Sequence, residues 1–163
     1  MAIQSGAGSK IYIADETTEQ TTVAGYDGLT WTEIEQTEAI GEFGDTTATV
    51  EFTGLGDARV QKLKGSSDAG TLSIVMGFKK DAFGSPLGGQ GKLLSAADDT
   101  TDTNYNFKIE FSDQGSGSPQ NPSTRYFRGQ VGTFVEGVPG ADEIIRVNSE
   151  VRINSTILRK NAQ

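Results

Sequence analysis

The sequence predicts a mainly β domain, and three observations support that fold class. Apolar residues recur at every second position over much of the chain, which is the period of a strand with one buried face. Gly, Ser and Thr together make up 52 of the 163 residues, whereas only one short segment has a helical pattern. Hydrophobic residues make up 34% of the chain, which predicts a thin core. We therefore expect sheets that bury one face and turn the other towards solvent or a partner subunit.

Five segments carry the ordinary strand pattern. In residues 47–53, three apolar residues alternate with polar ones, which predicts a half-buried strand. In residues 105–113, an apolar face alternates with a polar face that includes Lys108 and Glu110. The other predicted strands are residues 10–14, 29–35 and 70–78.

The C-terminal part of the chain predicts the longest strands. Within residues 143–157, alternating apolar residues form a stripe on one face. The opposite, polar stripe includes Arg146, Glu150 and Arg152. A strand of this length at ~3.3 Å per residue would span roughly 50 Å, so the segment must bend, break or serve two sheets. Residues 125–138 are also strand-like, and their glycines at 129, 132 and 137 are typical of bulges or tight bends.

One helix is predicted over residues 90–98, which lack β-branched side chains and follow a turn rich in Gly and Pro. Long loops are predicted over residues 15–28, 54–69 and 115–124. No internal repeat divides the chain. We therefore expect one domain over residues 1–163.

Composition excludes several classes of function. The net charge of −8 and the pI near 4.5 argue against the basic surface that sequence-specific DNA binding requires. The chain has no Cys and no His, which removes Cys nucleophiles, Ser-His-Asp triads, disulfides and Cys or His zinc sites. We expect no enzyme activity, and no catalytic, cofactor-binding or metal-binding residues. The sequence also lacks an apolar run of roughly 20 residues and a signal-peptide pattern, so we expect a soluble protein that the Sec pathway does not export.

Two local patterns suggest ligand sites but fit them poorly. Residues 84–92 are rich in glycine and end in Gly-Lys before the predicted helix, yet Leu93 stands where a phosphate-binding loop needs Ser or Thr. Asp98, Asp99 and Asp102 offer carboxylates to a cation but lack the Gly and distal Glu of a calcium loop. We interpret the first pattern as a turn before a helix and the second as a solvated acidic turn after it.

The predicted 54–69 loop carries a weak basic cluster of Arg59, Lys62 and Lys64. Acidic residues are dispersed over residues 15–51. A cationic loop on an acidic protein is consistent with self-complementary contacts between subunits. The same cluster also serves solubility, and the residues alone do not choose between these two interpretations.

A series of segments becomes informative when their order and spacing are taken together. They are residues 6–13 (GAGSKIYI), 40–44 (IGEFG), 56–65 (GDARVQKLKG) running into 68–72 (DAGTL), 105–109 (YNFKI), 125–131 (RYFRGQV) and the long alternating strand to Ile157. In this series the chain resembles the tail tube (major tail) proteins of long, non-contractile tailed bacteriophages. The resemblance covers nearly the whole chain, although no single segment is a strong motif.

The resemblance implies a two-sheet β-sandwich or β-barrel with one flanking helix and long loops. It also implies hexameric rings that stack into a hollow tube through which the genome passes. The implied location is the virion tail, after assembly in the bacterial host cytoplasm. The implied partners are further copies of the chain, the tail tip and tail terminator proteins, and the tape measure protein inside the tube. DNA would pass non-specifically, with no membrane contact.

Particular residues acquire expected roles in such an assembly. We expect Arg59, Lys62 and Lys64 to carry ring-stacking contacts, because the corresponding loop reaches the adjacent ring in the resembled family. Polar strand faces are expected to line the lumen, where a neutral or acidic lining avoids ion pairing with DNA phosphates. The lumen-facing candidates are Lys108, Glu110, Arg146, Glu150 and Arg152.

Other functions stay open at this point. The secreted tube of a type VI secretion system shares the resemblance at the level of fold only. A monomeric carbohydrate-binding β-sandwich would need an exposed aromatic platform, yet a lone Trp on a strand, such as Trp31, more often belongs to the core. A glycosidase would need two acting carboxylates, and the sequence offers no way to choose a pair.

Overall fold

A computed structural model describes residues 3–114 and 120–163 of the chain. Within these residues the chain forms ten β-strands, two α-helices and one 3-10 helix, which confirms the mainly β prediction. Residues 115–119 of the predicted 115–124 loop lie outside the described residues. The strands are β1 (Lys10–Ala14), β2 (Trp31–Glu33), β3 (Thr37–Ile40), β4 (Thr46–Phe52), β5 (Gln61–Asp68), β6 (Thr71–Gly77), β7 (Tyr105–Glu110), β8 (Thr124–Gly137), β9 (Arg146–Ile153) and β10 (Leu158–Lys160). The helices are α1 (Val23–Asp27), α2 (Gly89–Asp98) and the 3-10 helix Lys80–Phe83.

Eight of the described strands form one antiparallel sheet that is rolled into a barrel-like shape. Their order is β2-β1-β7-β8-β9-β6-β3, and β10 pairs with the start of β8. The edge strands β2 and β3 are joined by residues 34–36 alone, so the two edges of the sheet lie next to each other. Strands β4 and β5 form a second, two-stranded sheet. The predicted two-sheet architecture with one substantial flanking helix is confirmed.

The inner face of the rolled sheet holds the hydrophobic core. Phe107 on β7 stacks against Phe127 on β8 with ring centroids 5.6 Å apart, and both are fully buried. Exposed and buried residues alternate strictly along β9, where Val147 and Val151 are fully buried, so the predicted apolar stripe is confirmed. Leu93 of α2 joins the same core.

The long C-terminal strand breaks and continues in the same sheet. β9 ends at Ile153, and the chain pairs with β8 again from Leu158. Between them, the amide of Asn154 donates to the carbonyl of Arg128 at 2.9 Å, and the hydroxyl of Ser155 accepts from the amide of Arg128 at 2.8 Å. These hydrogen bonds pair the backbone amide and carbonyl of Arg128 in the gap between β9 and β10. β9 and β10 therefore run along the same side of β8.

The glycines of β8 mark a bulge, as predicted, and also a close approach between strands. The register with β9 shifts between Val131 and Thr133, which places a β-bulge at Gly132. A Cβ atom at Gly129 would lie 2.4 Å from the carbonyl oxygen of Arg152. The two strands therefore meet there only because residue 129 is glycine.

The predicted helix is confirmed as α2, and its glycine-rich start serves packing. A Cβ atom at Gly89 would lie 2.0 Å from the carbonyl oxygen of Glu33. Gln90 is fully buried, and its side-chain amide donates to the carbonyls of Glu35 at 2.9 Å and Gly77 at 2.8 Å. The helix is thus fastened to the chain between β2 and β3 and to the end of β6.

Three sequence predictions about the loops and strands were wrong. Residues 54–69 are not one long loop, because β5 occupies about half of them. Residues 47–53 do form a strand, β4, but every residue of β4 is exposed, because among the described residues it pairs only with β5 and no second layer covers it. The predicted loop over residues 15–28 contains α1, whose five residues are too few to show a helical period.

Replacing Val151 with Asp should unfold the subunit. The side chain has no exposed surface, and an unpaired carboxylate in the apolar core should cost about 4 kcal/mol or more. Arg152→Ala, one residue along on the exposed face, is the matched control and should change the free energy of unfolding by less than about 1 kcal/mol. Urea unfolding followed by circular dichroism measures both. A folded Val151→Asp variant beside an unfolded Arg152→Ala variant would show that the register is reversed.

Candidate assembly surfaces

The β4–β5 hairpin stands apart from the rest of the subunit. Among the described residues its strands pair only with each other. Every residue of β4 is exposed, and so is every residue of β5 except Gly65. A two-stranded hairpin is marginally stable by itself in water. A partner outside the chain would therefore stabilise this element.

The hairpin has a charged face and an apolar face. On the charged face, Lys62 lies opposite Glu51 with 3.5 Å between ammonium and carboxylate, and Lys64 lies opposite Thr49. Arg59 lies in the connection between the two strands. The structure thus brings the three predicted stacking residues together on one projecting element. Their role in stacking stays a prediction.

Sequence reasoning missed the apolar face of the hairpin as a surface. Val50 lies opposite Leu63, and Phe52 follows on the same side of β4. Their exposed fractions are 51%, 60% and 59%. A contiguous exposed apolar patch of this kind is typical of an interaction site. The alternation of apolar and polar residues in β4 was the sequence signal for this face. It could not show that the described chain has no layer to bury the face.

The outer face of β6, β9 and the second half of β8 is open and mainly polar, with Val135 of β8, opposite Asn148, 57% exposed on it. Glu150 and Arg152 are exposed on it, beside small polar residues of β6. Arg146 lies at the end of the same row, and its Nε donates to the carboxylate of Glu38 at 2.8 Å. This hydrogen bond raises the pKa of Arg146 and lowers the pKa of Glu38. Three of the five predicted lumen candidates therefore share one open face.

Lys108 and Glu110 lie on the same side of the sheet but in its other half, where the face is covered. The ammonium of Lys108 is 2.7 Å from the Glu110 carboxylate and 4.2 Å from the centroid of the Tyr12 ring. The Tyr12 hydroxyl donates to Glu110 at 3.1 Å, and burial together with this carboxylate raises the pKa of Tyr12. The side chains of Lys108 and Glu110 are only 13% and 25% exposed. Glu110, one of the lumen-facing candidates, is therefore mostly covered within the subunit.

The cover on this half of the sheet is built by α1 and Trp31. Tyr26 of α1 stacks on Tyr126 of β8 with ring centroids 5.1 Å apart, and the indole N–H of Trp31 donates to the carbonyl of Tyr26 at 3.0 Å. The hydroxyl of Tyr126 donates to Asp27, and the ammonium of Lys160 lies 2.9 Å from the same carboxylate. Trp31 is thus packed into an aromatic cluster and does not form a flat sugar platform.

The acidic turn after α2 is held by its own hydrogen bonds. Asp99 accepts from the amide and the hydroxyl of Thr101 at 2.8 and 2.6 Å, and from the hydroxyl of Tyr105 at 2.8 Å. Burial and the Asp99 carboxylate raise the pKa of Tyr105 to about 12. Within residues 3–114 and 120–163, no three acidic residues form a group that could hold a metal ion. No helix in these two ranges is both long and apolar enough to cross a membrane.

No protein-family model and no curated protein matches the sequence, but solved structures share its fold. A chain of the anti-feeding prophage baseplate aligns over 99% of this chain and 98% of its own length, with a TM-score of 0.65 and 11% identity. A chain from the sheath/tube terminator of the PVC extracellular contractile injection system, in its extended state, aligns over 98% of both chains, with a TM-score of 0.68 and 8% identity.

The tail tube of SPP1 extends this likeness to a phage tail. It aligns over 98% of this chain and 80% of its own length, with a TM-score of 0.60 and 11% identity. The chain therefore shares its fold with chains from the anti-feeding prophage baseplate, the PVC sheath/tube terminator and the SPP1 tail tube. In particular, it is similar in fold to the SPP1 tail tube, which confirms, at the level of fold, the resemblance to tail tube proteins.

Replacing Asp27 with Asn should loosen the attachment of α1 at neutral pH and matter less in acid. Burial acts to raise the pKa of Asp27, but hydrogen bonds from Lys160 and Tyr126 outweigh burial and lower it. A lowered folded-state pKa contributes stability above the ordinary Asp pKa of about 3.9, and that contribution is lost as the pH falls through the folded-state pKa.

Thermal unfolding from about pH 7 to about pH 3 measures this effect, since the window spans the ordinary pKa of Asp. The midpoint of Asp27→Asn should lie below that of the wild type at neutral pH, and the difference should shrink in acid. Asp98→Asn, at an exposed position of α2, is the matched control. A difference for Asp27→Asn that stays constant over this range would contradict the assignment.

Proposed function

We propose that the chain is a structural tail tube protein. Its copies form hexameric rings, and the rings stack into a hollow tube through which DNA is ejected. The observation that carries this proposal is the exposed β4–β5 hairpin on a body with the fold of tube proteins. Each copy presents an apolar surface that its own described residues leave uncovered, and another copy would bury it.

Ring formation is supported by the edges of the rolled sheet. Among the described strands, β2 pairs only with β1, and β3 pairs only with β6. Such edges offer free backbone N–H and C=O groups to a neighbouring chain. When identical subunits pair edge to edge around a closed ring, the free edges are used up. This accounts for a sheet whose edge strands, β2 and β3, are short.

The open polar face suits the lining of the tube. It presents Glu150 and Arg152 as well as the ion pair between Arg146 and Glu38, so its charges are mixed in sign. A strongly basic lining would pair with DNA phosphates and retain the DNA, whereas a mixed lining on a protein of net charge −8 favours passage. We assign Arg146, Glu150 and Arg152 to the lumen and leave out the covered residues Lys108 and Glu110.

The proposal also sets the location and partners of the protein. It belongs to the virion tail and is assembled in the bacterial host cytoplasm. It contacts further copies of itself, the tail tip and tail terminator proteins, and the tape measure protein inside the tube. DNA passes non-specifically, and no membrane is contacted.

The likeness to the anti-feeding prophage and PVC structures favours a second candidate, the tube of a contractile injection system, which includes a secreted type VI-like tube. Native particles with a contractile sheath around the tube would select this candidate. Bare tubes attached to DNA-filled capsids would select the non-contractile phage tail.

Negative-stain electron microscopy of the purified wild-type protein tests the proposal directly. We expect rings and tubes, with six-fold symmetry in averaged end-on views. A protein that stays monomeric at every concentration, by microscopy and by size-exclusion chromatography, would contradict it. Such a result would favour the alternative function of a monomeric carbohydrate-binding module.

Replacing Arg59, Lys62 and Lys64 together with Glu should prevent polymerisation without unfolding the subunit. All three side chains are exposed, so the core is untouched while the charge of the hairpin is reversed. Circular dichroism should match the wild type, and sedimentation should detect no tubes. Arg159→Glu, at an exposed position of β10, is the control and should still polymerise. Tubes of normal length from the triple variant would remove the hairpin from the stacking contact.

Replacing Glu150 with Lys should leave assembly intact and slow DNA ejection. The new cation would pair with phosphates that pass the open face, and salt should relieve the defect, because the screening length falls from about 10 Å at 0.1 M to about 3 Å at 1 M. Asp98→Lys makes the same charge change at an exposed position of α2 and should eject at the wild-type rate. Wild-type ejection kinetics for Glu150→Lys at low salt would place this face outside the lumen.

A further inference from the structure

Two arginines face each other where β10 pairs with the start of β8. Arg159 lies directly opposite Arg125 in the antiparallel register. Side chains in this relation share one face of the sheet, with Cβ atoms about 4.5–5.5 Å apart, and like charges placed there destabilise the pairing. The neighbouring cation of β10 differs, because the ammonium of Lys160 lies 2.9 Å from the carboxylate of Asp27. The pairing of β10 with β8 therefore brings together two positive charges that repel each other.

Arg125 is held in a fixed position on the inner face of the rolled sheet. Ile109, which lies opposite it on β7, is buried in the core. The guanidinium carbon of Arg125 is 4.9 Å from the centroid of the Phe111 ring. Its Nη1 donates to the carbonyls of Thr124 at 2.9 Å and Lys160 at 3.2 Å. One nitrogen and one face of the guanidinium are thus used for positioning, and the other donors stay available.

No contact within the described chain neutralises the pair. Within residues 3–114 and 120–163, the Arg159 side chain has no hydrogen bond and no ion pair, and Nε and Nη2 of Arg125 donate to no residue. Asp113 acts on Arg125 through its charge, but it is not within ion-pair distance and already accepts from the amide of Ser123 at 2.8 Å. Burial and the charge of Arg159 lower the pKa of Arg125, and Asp113 offsets this only in part. The pair therefore keeps an excess of positive charge.

The unused N–H groups of the pair suit an oxyanion. A guanidinium presents its donors as a planar fork that matches two oxygens of a carboxylate or phosphate group. Because the two side chains leave the sheet about 5 Å apart, both forks can contact the same anion. An anion between them also replaces their repulsion with two charge-assisted contacts.

We propose that Arg125 and Arg159 together bind one oxyanion, a phosphate or carboxylate group, which bridges β8 and β10. Arg125 supplies the positioned fork, and the exposed Arg159 closes on the anion from the solvent side. The bound anion fastens β10 to β8. The site uses no residue of the β4–β5 hairpin or of the open polar face, so this inference does not depend on the proposed tube function.

Thermal unfolding in two salts tests the site. Sodium phosphate at about 10 mM should raise the unfolding midpoint of the wild type by about 3 °C above its value in sodium chloride of the same ionic strength. Arg159→Gln should abolish this rise. Lys80→Gln removes the same charge at an exposed position of the 3-10 helix and should keep the rise, so it is the matched control. Sedimentation checks that all samples have the same assembly state.

The repulsion within the pair gives a second readout. In chloride, Arg159→Gln should unfold at a higher temperature than the wild type, because the like charge opposite Arg125 is gone. Arg159→Glu should unfold at a still higher temperature, since it places an opposite charge there. A side chain that served only to pack β10 would give the reverse result, a lower midpoint for both variants.

Isothermal titration calorimetry identifies the oxyanion that the site prefers. Phosphate and acetate are each titrated into the wild type and into Arg159→Gln. Binding of phosphate but not acetate to the wild type would assign the site to phosphate groups, and binding of both would assign it to carboxylates as well. Neither ion should bind Arg159→Gln.

Two results would overturn the site. One is an equal rise of the midpoint with phosphate in the wild type and in Arg159→Gln, which would show only the general effect of salts that are excluded from protein surfaces. The other is an Arg159→Gln variant that is less stable than the wild type in chloride. Both would leave the tube function in place, because electron microscopy of the wild type tests that function separately.

Discussion

The pairing of β8 with other strands on both of its sides is the interaction on which the rest of the structure depends. This 14-residue strand pairs with β7 along its first half and with β9 along its second. The bulge at Gly132 and the close approach at Gly129 lie where the partner changes. A bulge bends a strand and increases its twist, so one sheet can roll up and enclose the core without a complete second layer.

Enclosing the core in this way leaves some surfaces without cover in the described chain. The β4–β5 hairpin lies outside the rolled sheet, and no helix of residues 3–114 and 120–163 lies over the outer face of β6 and β9. The outer face of β7 shows the contrast, because the stack of Tyr26 on Tyr126 and the packing of Trp31 cover it. A hydrophobic content of 34% is enough for this small core, and several further apolar residues lie exposed on the hairpin and in the turn between β8 and β9.

The candidate site was only partly predictable from the sequence. Arg59, Lys62 and Lys64 could be recognised as a cluster, because they are close along the chain. The apolar face of the hairpin was not recognised, because an alternating strand usually has a layer to pack against. Glu110 and Glu150 have equivalent positions in their strand patterns, yet Glu110 is ion-paired and mostly covered while Glu150 is open. No local pattern distinguishes the two, since the cover over Glu110 comes from a distant part of the chain.

The sequence by itself determined the mainly β class, the apolar stripe of β9, the helix α2 and the interruptions in β8. These features follow from side-chain periods and glycine positions, which are local properties of a few neighbouring residues. Only the tertiary structure decided the order of the strands and the covering of one half of the outer face by α1. It also decided that the apolar side chains of β9 are buried while those of β4, which alternate in the same way, are exposed. Pairing and burial depend on which distant segments meet, and a two-residue period says which side chains share a face but not what lies against that face.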